Sequence, residues 1–168
     1  MTGIQIRAVS HDEEALIFSF LYLAARMPEG NEPIQKALSD PFLRKYWSRW
    51  GRPGDFGLVA IDEASKVPVS CAWLRVFSKE EAGPSFVEDG LPELGIGTIE
   101  SFRGKGIAAE LLKALIQESK GKFPGICLNV RDDNPSRKIY ERLGFQDVPG
   151  SKMKNRVGTV SRNMLLKL

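Results

Sequence analysis

The segment Leu94-Gly95-Ile96-Gly97-Thr98-Ile99-Glu100-Ser101-Phe102-Arg103-Gly104-Lys105-Gly106-Ile107-Ala108 constrains this chain more than any other. An apolar run reads as a strand in spite of two glycines. It passes into a glycine-rich turn, and the turn opens a helix over Gly104–Lys120 with Ile107, Leu111, Leu112, Leu115 and Ile116 on its buried face. The first N–H groups of a helix lack intrahelical acceptors. With the positive end of the helix dipole behind them, they form an anion site. Gly104 and Gly106 let a phosphate approach the backbone closely, and Arg103 and Lys105 add charge beside it. Two phosphate motifs fail here. Lys105 is followed by Gly106 and Ile107, so no hydroxyl is placed for the magnesium of a P-loop. Gly95 and Gly97 lie in the strand and position 100 is Glu, so the three-glycine dinucleotide fingerprint is absent.

The rest of the chain supplies strands and helices around this unit. Residues 4–9 read as a strand. Asp12 or Ser10 caps a helix running to about Arg26, with Leu16, Phe20 and Leu23 on one face, and Pro28-Glu29-Gly30-Asn31 breaks it. A second helix within 33–50 carries the stripe Phe42, Leu43, Tyr46, Trp47 and Trp50, and ends at Gly51-Arg52-Pro53-Gly54. Phe56–Ile61 and Val67–Phe77 form a hairpin around a turn at 62–66. A loop over 78–92 leads to the strand Leu94–Ile99. Beyond the glycine-rich helix come a strand at Ile126–Val130, a helix at Pro135–Leu143 stopped by Gly144, and strands at Phe145–Val148 and about Val157–Leu168.

Size and charge narrow the class. The 168 residues suit one domain over 1–168. Lys and Arg number 24 against 21 Asp and Glu, a net charge of +3 that gives no support to a nucleic-acid partner. Cys71 and Cys127 each lie in an apolar run, there is no CxxC, and His11 is the single histidine, so no metal is expected. Such cysteines suit buried thiols of a reduced, cytoplasmic protein. The greasiest stretch, Leu16–Ala25, is too short to span a bilayer and follows three acids, so no membrane partner is expected.

Arg103-x-x-Gly106-x-Ala108, in its strand–turn–helix setting, resembles the pyrophosphate-binding turn of the GCN5-related N-acetyltransferases, the GNAT family. A second stretch is similar to the family's later motif: Asn134-Pro135-Ser136-Arg137-Lys138-Ile139-Tyr140-Glu141-Arg142-Leu143-Gly144-Phe145, one helix and one strand downstream. Together the two motifs cover about residues 93–147. The resemblance implies an α/β fold with a central mixed, mostly antiparallel sheet flanked by about four helices. It places acetyl-CoA where the strands at about 94–99 and 126–130 splay apart. It implies acetyl transfer from acetyl-CoA to an amine of a small molecule or peptide, by direct attack in a ternary complex.

The resemblance also assigns roles. The amides of Gly104, Gly106, Ile107 and Ala108, with Arg103 and Lys105, hold the pyrophosphate. The backbone at Ile96 and Thr98 pairs with the pantetheine arm and polarises the carbonyl. Either Asn134 or Ser136 meets the co-substrate, although Asn134 before Pro135 is also an excellent helix cap. Tyr140 protonates, or hydrogen-bonds to, the departing sulfur. Glu93 is the candidate base for the amine, with Glu100 second and His11 a poor third. No cysteine in the motifs suggests a covalent acyl-enzyme. The alternatives are a larger acyl group, a protein acceptor, or a non-catalytic coenzyme A sensor. Dimers being common in such a family, a homodimer is one expected state. The acidic loop Glu80, Glu81, Glu88, Asp89 could attract a cation or simply be solvated. The basic tail Lys152, Lys154, Arg156, Arg162, Lys167 could draw in an anion or belong to an edge strand.

Overall fold

The computed structural model describes residues 3–27, 31–155 and 158–168. The helix break expected at Pro28-Glu29-Gly30, the basic residue Arg156 and the strand start at Val157 lie outside the described residues. The chain forms two compact units, Met1–Arg75 with Gly95–Leu115, and Val76–Leu94 with Ile116–Leu168.

In the first unit, β1 (Ile4–Ala8) pairs antiparallel with β2 (Phe56–Asp62), from Ile4↔Asp62 to Ala8↔Leu58. β2 pairs antiparallel with β3 (Pro68–Val76), from Phe56↔Leu74 to Ile61↔Pro68. The hairpin turn is fastened by Asp62, whose carboxylate accepts from the Ser65 amide (2.9 Å) and hydroxyl (2.6 Å). β4 (Pro92–Thr98) follows β3 in the sheet, and Ile99 donates its amide to Val69 at 3.0 Å. β3 is buried on both faces from Val69 to Arg75, which is why its sequence runs apolar instead of alternating.

Helix α1 (Glu14–Ala24) buries Ile17, Phe18, Phe20 and Leu21 against this sheet. The expected face of Leu16, Phe20 and Leu23 is corrected in part: Leu16 and Leu23 are only partly buried, packed at the margin of the core. Its expected cap is also different. Glu13 occupies the N-cap without a side-chain cap to the helix, and its carboxylate accepts instead from the Ser10 amide at 2.8 Å. The expected single helix within 33–50 is two short ones, α2 (Ile34–Ser39) and α3 (Pro41–Arg44). Asp40 separates them in an extended conformation, as a residue before proline prefers, and its side chain caps the Phe42 amide. Leu43 and Trp50 reach the core, Tyr46 and Trp47 pack against it, and Phe42 is exposed.

In the second unit, β4 pairs in parallel with β5 (Gly125–Arg131) at Glu93↔Cys127. β5 pairs antiparallel with β8 (Val160–Lys167), from Gly125↔Lys167 to Arg131↔Ser161. β8 also pairs with β6 (Gln146–Asp147) and with β7 (Met153–Lys154), a short strand the sequence reading missed. The edge-strand reading of the C-terminal segment is therefore corrected: β8 has neighbours on both sides. Helix α5 (Arg137–Arg142) precedes β6, and α4 (Ile107–Ser119) crosses the boundary between the units. The sheet is mixed and mostly antiparallel, and five α-helices accompany it among the described residues, against the four or so expected, because the second expected helix is split in two.

A testable pH response sits at the start of α1. Arg7 donates two hydrogen bonds of 2.7 Å to Glu13, and these hold the Glu13 carboxyl below the usual carboxylate range. A carboxyl depressed by folding stabilises the protein above its unfolded value, about 4.3, and loses that contribution as pH falls through its folded value. Glu13→Gln is therefore expected to melt lower than wild type at pH 7, and the gap is expected to close by pH 3. A constant gap in melting temperature between the two pH values would refute this.

Candidate active site

β4 owes its glycines to its neighbours. A Cβ at Gly95 would run into the indole of Trp73, and one at Gly97 would sit 2.5 Å from the Phe20 carbonyl oxygen of α1. The strand thus packs against a buried tryptophan and a helix backbone at distances no other residue permits. Ser70, fully buried on β3, fixes the strand further. Its hydroxyl lies 3.0 Å from the Gly97 carbonyl oxygen and 2.8 Å from the Thr98 hydroxyl. Ile96 and Thr98 are half-buried on this strand.

A single 3-10 turn (Glu100–Phe102) leads from β4 to the glycines. Gly104 and Gly106 adopt φ of +73° and +80°, which L side chains avoid, and open space surrounds both Cβ positions. Their glycine requirement is conformational, and the space above them is available to a ligand. Among the described residues, the amides of Gly104, Lys105, Gly106, Ile107 and Ala108 donate to no protein acceptor. The Arg103 Nε lies 3.2 Å from the Thr98 carbonyl oxygen, which ties the exposed guanidinium to the end of β4. Lys105 Nζ lies 4.5 Å over the Phe102 ring. Five unpaired amides, a helix dipole and two cations fit a pyrophosphate. Glu110, in the first turn of α4, is exposed and offset by Lys113 at 2.8 Å. Glu100 is exposed, and its carbonyl accepts from the Arg103 amide. His11 is exposed just before α1.

The remaining predicted residues lie in the second unit. Glu93 is 3% exposed, with its Cα opposite that of Cys127. Burial, with the nearby Glu93 charge second, pushes the Cys127 thiol up to about 12. Burial also drives the Cys71 thiol up, so neither is a ready nucleophile. The Asn134 side-chain oxygen accepts from the Ser136 amide at 2.9 Å, and Ser136 occupies the N-cap of α5. The expected cap is thus corrected: Asn134 and Pro135 lie in the turn before the helix, and Asn134 braces that turn without being its N-cap. Tyr140 is buried, with its ring 5.8 Å from that of Phe145 in an edge-to-face pair. Burial raises its phenol well above the ordinary value, and its hydroxyl makes no hydrogen bond among the described residues. The basic tail is partly spoken for: Arg162 pairs with Asp132 at 2.6 Å and Asp147 at 2.8 Å. Arg137 joins the same network through Asp147 and Glu141.

One strongly organised residue was missed. Arg75 is 1% exposed and forms a buried ion pair with Asp55 at 2.6 Å. The signal was a lone arginine inside the apolar run of β3, since an ionised side chain there must be paired.

The model of the acetyltransferase (GNAT) family matches residues 21–145, and the chain belongs to that family. Acetyl-CoA is the co-substrate of such enzymes. No curated protein sequence matches the chain. Among solved structures, spermidine N-acetyltransferase from Vibrio cholerae in complex with CoA and spermine is 18% identical, with a TM-score of 0.65. The match covers 99% of this chain and 96% of that one. The Salmonella typhimurium protein yncA, solved with its cofactor acetyl-CoA, is 19% identical with a TM-score of 0.66, over 99% and 95% of the two chains. Ribosomal-protein-S5-alanine acetyltransferase from Vibrio fischeri is 15% identical with a TM-score of 0.65, over 99% and 94%. Likeness at this identity concerns the fold. Among the described residues no group of three or more His, Cys, Asp or Glu side chains is arranged to hold a metal, and no helix is long and apolar enough to cross a membrane.

Proposed function

We propose that the chain transfers an acetyl group from acetyl-CoA to an amine of a small molecule or peptide, by direct attack in a ternary complex. The observation that carries this reading is the run of five unpaired amides from Gly104 to Ala108 at the head of α4. Acetyl-CoA supplies the acetyl group activated as a thioester. The turn amides, Arg103 and Lys105 bind its pyrophosphate. Backbone groups of β4 at Ile96 and Thr98 hold the pantetheine and polarise the carbonyl, on a strand that Ser70, Trp73 and Phe20 keep rigid. Asn134 and Ser136, at the start of α5, complete the co-substrate contacts.

Glu93 takes the proton of the amine, directly or through water, as the nitrogen attacks the carbonyl carbon and the C–S bond breaks. Tyr140 serves the leaving sulfur. A phenol raised by burial is too weak an acid to give its proton outright to a thiolate of pKa about 8.5. Tyr140 therefore acts as a neutral hydrogen-bond donor, and this favours one of the two roles the sequence left open. Two inert, buried thiols support direct attack over a covalent acyl-enzyme. Free cysteines also suit the reducing cytoplasm, where we place the protein.

The test is thiol release from acetyl-CoA, followed with purified protein across a panel of amines. Amine-dependent release supports the reading, and binding of acetyl-CoA without turnover on any amine would make the protein a coenzyme A-binding module. Tyr140→Phe is expected to lower kcat about tenfold, below the roughly 10²–10⁴ of full acid–base catalysis, because a thiolate leaves well unaided. Its affinity for acetyl-CoA is expected to stay unchanged. An unaltered kcat would remove Tyr140 from the mechanism.

A further inference from the structure

A second candidate binding site lies in the first unit, around α3. Pro41, Arg44, Lys45, Ser48 and Arg49 line an open surface cavity of about 350 Å³, with the Pro41, Arg44 and Arg49 side chains exposed at its rim. Three of the five side chains are cationic, and no carboxylate lines the cavity.

The backbone explains why the cations gather there. The buried Arg75 guanidinium collects the carbonyl oxygens of Lys45 (2.8 Å), Ser48 (2.9 Å) and Arg49 (3.2 Å). To meet it, the chain turns tightly after α3, and Arg49 takes φ of +54°, a conformation uncommon for a residue with a Cβ. The nearby acids are committed elsewhere. Asp55 uses both carboxylate oxygens on Arg75 and also accepts from the Gly51 and Arg52 amides. Asp40 caps the Phe42 amide at 2.8 Å. Arg44 and Arg49 form no ion pair among the described residues. Lys45 Nζ lies 5.1 Å over each of the Phe42 and Tyr46 rings.

We propose that this cavity binds a multiply charged small molecule through its oxyanion groups, either a phosphate or several carboxylates. Guanidinium forks match the paired oxygens of either group. The Ser48 hydroxyl adds a donor at the wall. Like charges held together by a rigid backbone repel one another, and an oxyanion between them relieves that repulsion. A polycation would be rejected at the same place.

The experiment is a titration of the whole protein with inorganic phosphate, and in parallel with citrate, at constant ionic strength. Calorimetry gives the affinity and stoichiometry, with and without saturating acetyl-CoA. Saturable binding that persists with acetyl-CoA present is expected, and the tighter of the two anions identifies the group preferred. Arg44→Ala and Arg49→Gly are each expected to weaken binding at least tenfold. Glycine adopts φ of +54° freely, so Arg49→Gly keeps the turn, and an unchanged melt without ligand verifies it. No saturable binding, or wild-type affinity in both variants, overturns the proposal. Displacement of phosphate by acetyl-CoA overturns it too, since the anion would then occupy the co-substrate's site. Should the protein fail to bind acetyl-CoA at all, the two arginine variants still report on this cavity alone.

Discussion

Replacing Arg75 with alanine is expected to lower the melting temperature by roughly 6–20 °C. Removing one partner of a buried ion pair costs about 3–5 kcal/mol, because the other charge stays buried without compensation. A protein of this size loses about 2–4 °C per kcal/mol. The partner here is Asp55, whose side chain is 0% exposed, so water cannot take over from the lost guanidinium. The substitution also strands the carbonyls of Lys45, Ser48 and Arg49, and it removes a cation 5.6 Å above the Trp50 ring. The double variant Arg75→Met with Asp55→Leu, which removes both charges together, is expected to be milder than Arg75→Ala alone. A thermal melt by circular dichroism checks this. A drop under about 2 °C for the single variant would show that Asp55 is not left uncompensated when the guanidinium is removed.

Gly106→Glu is expected to abolish the stabilisation that acetyl-CoA gives the wild type. A ligand at 100 times its Kd adds about 2.7 kcal/mol, which at about 2–4 °C per kcal/mol is a rise of roughly 5–11 °C. The substitution acts twice. It places a carboxylate among amides that serve an anion, and it forces a side chain into φ of +80°. Gly106→Ala separates the two effects. Nothing lies within 4 Å of its Cβ position, so only the conformational cost, about 1–2 kcal/mol, applies. Its acetyl-CoA response is expected to fall between those of wild type and Gly106→Glu. An undiminished rise in Gly106→Glu would show that the co-substrate binds elsewhere.

What the sequence disclosed depended on how local the cause was. The glycine turn was readable because strand, turn and helix follow one another within fifteen residues, and each residue's reason lies in its own backbone. The strand glycines were visible but unexplained. Their cause, Trp73 and the backbone of α1, comes from distant parts of the chain. α1 defeated the periodicity argument because Leu16 to Leu23 is apolar nearly all round, and only packing selects its inner face. The break at Asp40-Pro41 was written in the chain, yet the stripe that begins at Phe42, directly after it, drew attention away from the break and suggested one helix within 33–50. The burial of Glu93 depends on pairing with Cys127, thirty-four residues on, and no local pattern announces it. Arg75 was the missed clue. Read as an ion that must find a partner, it would have pointed to Asp55 and to the turn that both organise.

The place of β8 has a consequence for how the chain is made. β8 joins β5 on one side to β6 and β7 on the other. The strands it serves all precede residues 160–167 in the chain, β5 by about thirty residues and β7 by fewer than ten. Until β8 is made, β5 offers an open edge of apolar residues, the kind of template that invites pairing with another chain. Synthesis therefore passes through an interval in which shielding of β5 by a chaperone, or plain speed, decides between folding and aggregation. A nascent chain stalled before residue 160 is where that hazard would be greatest.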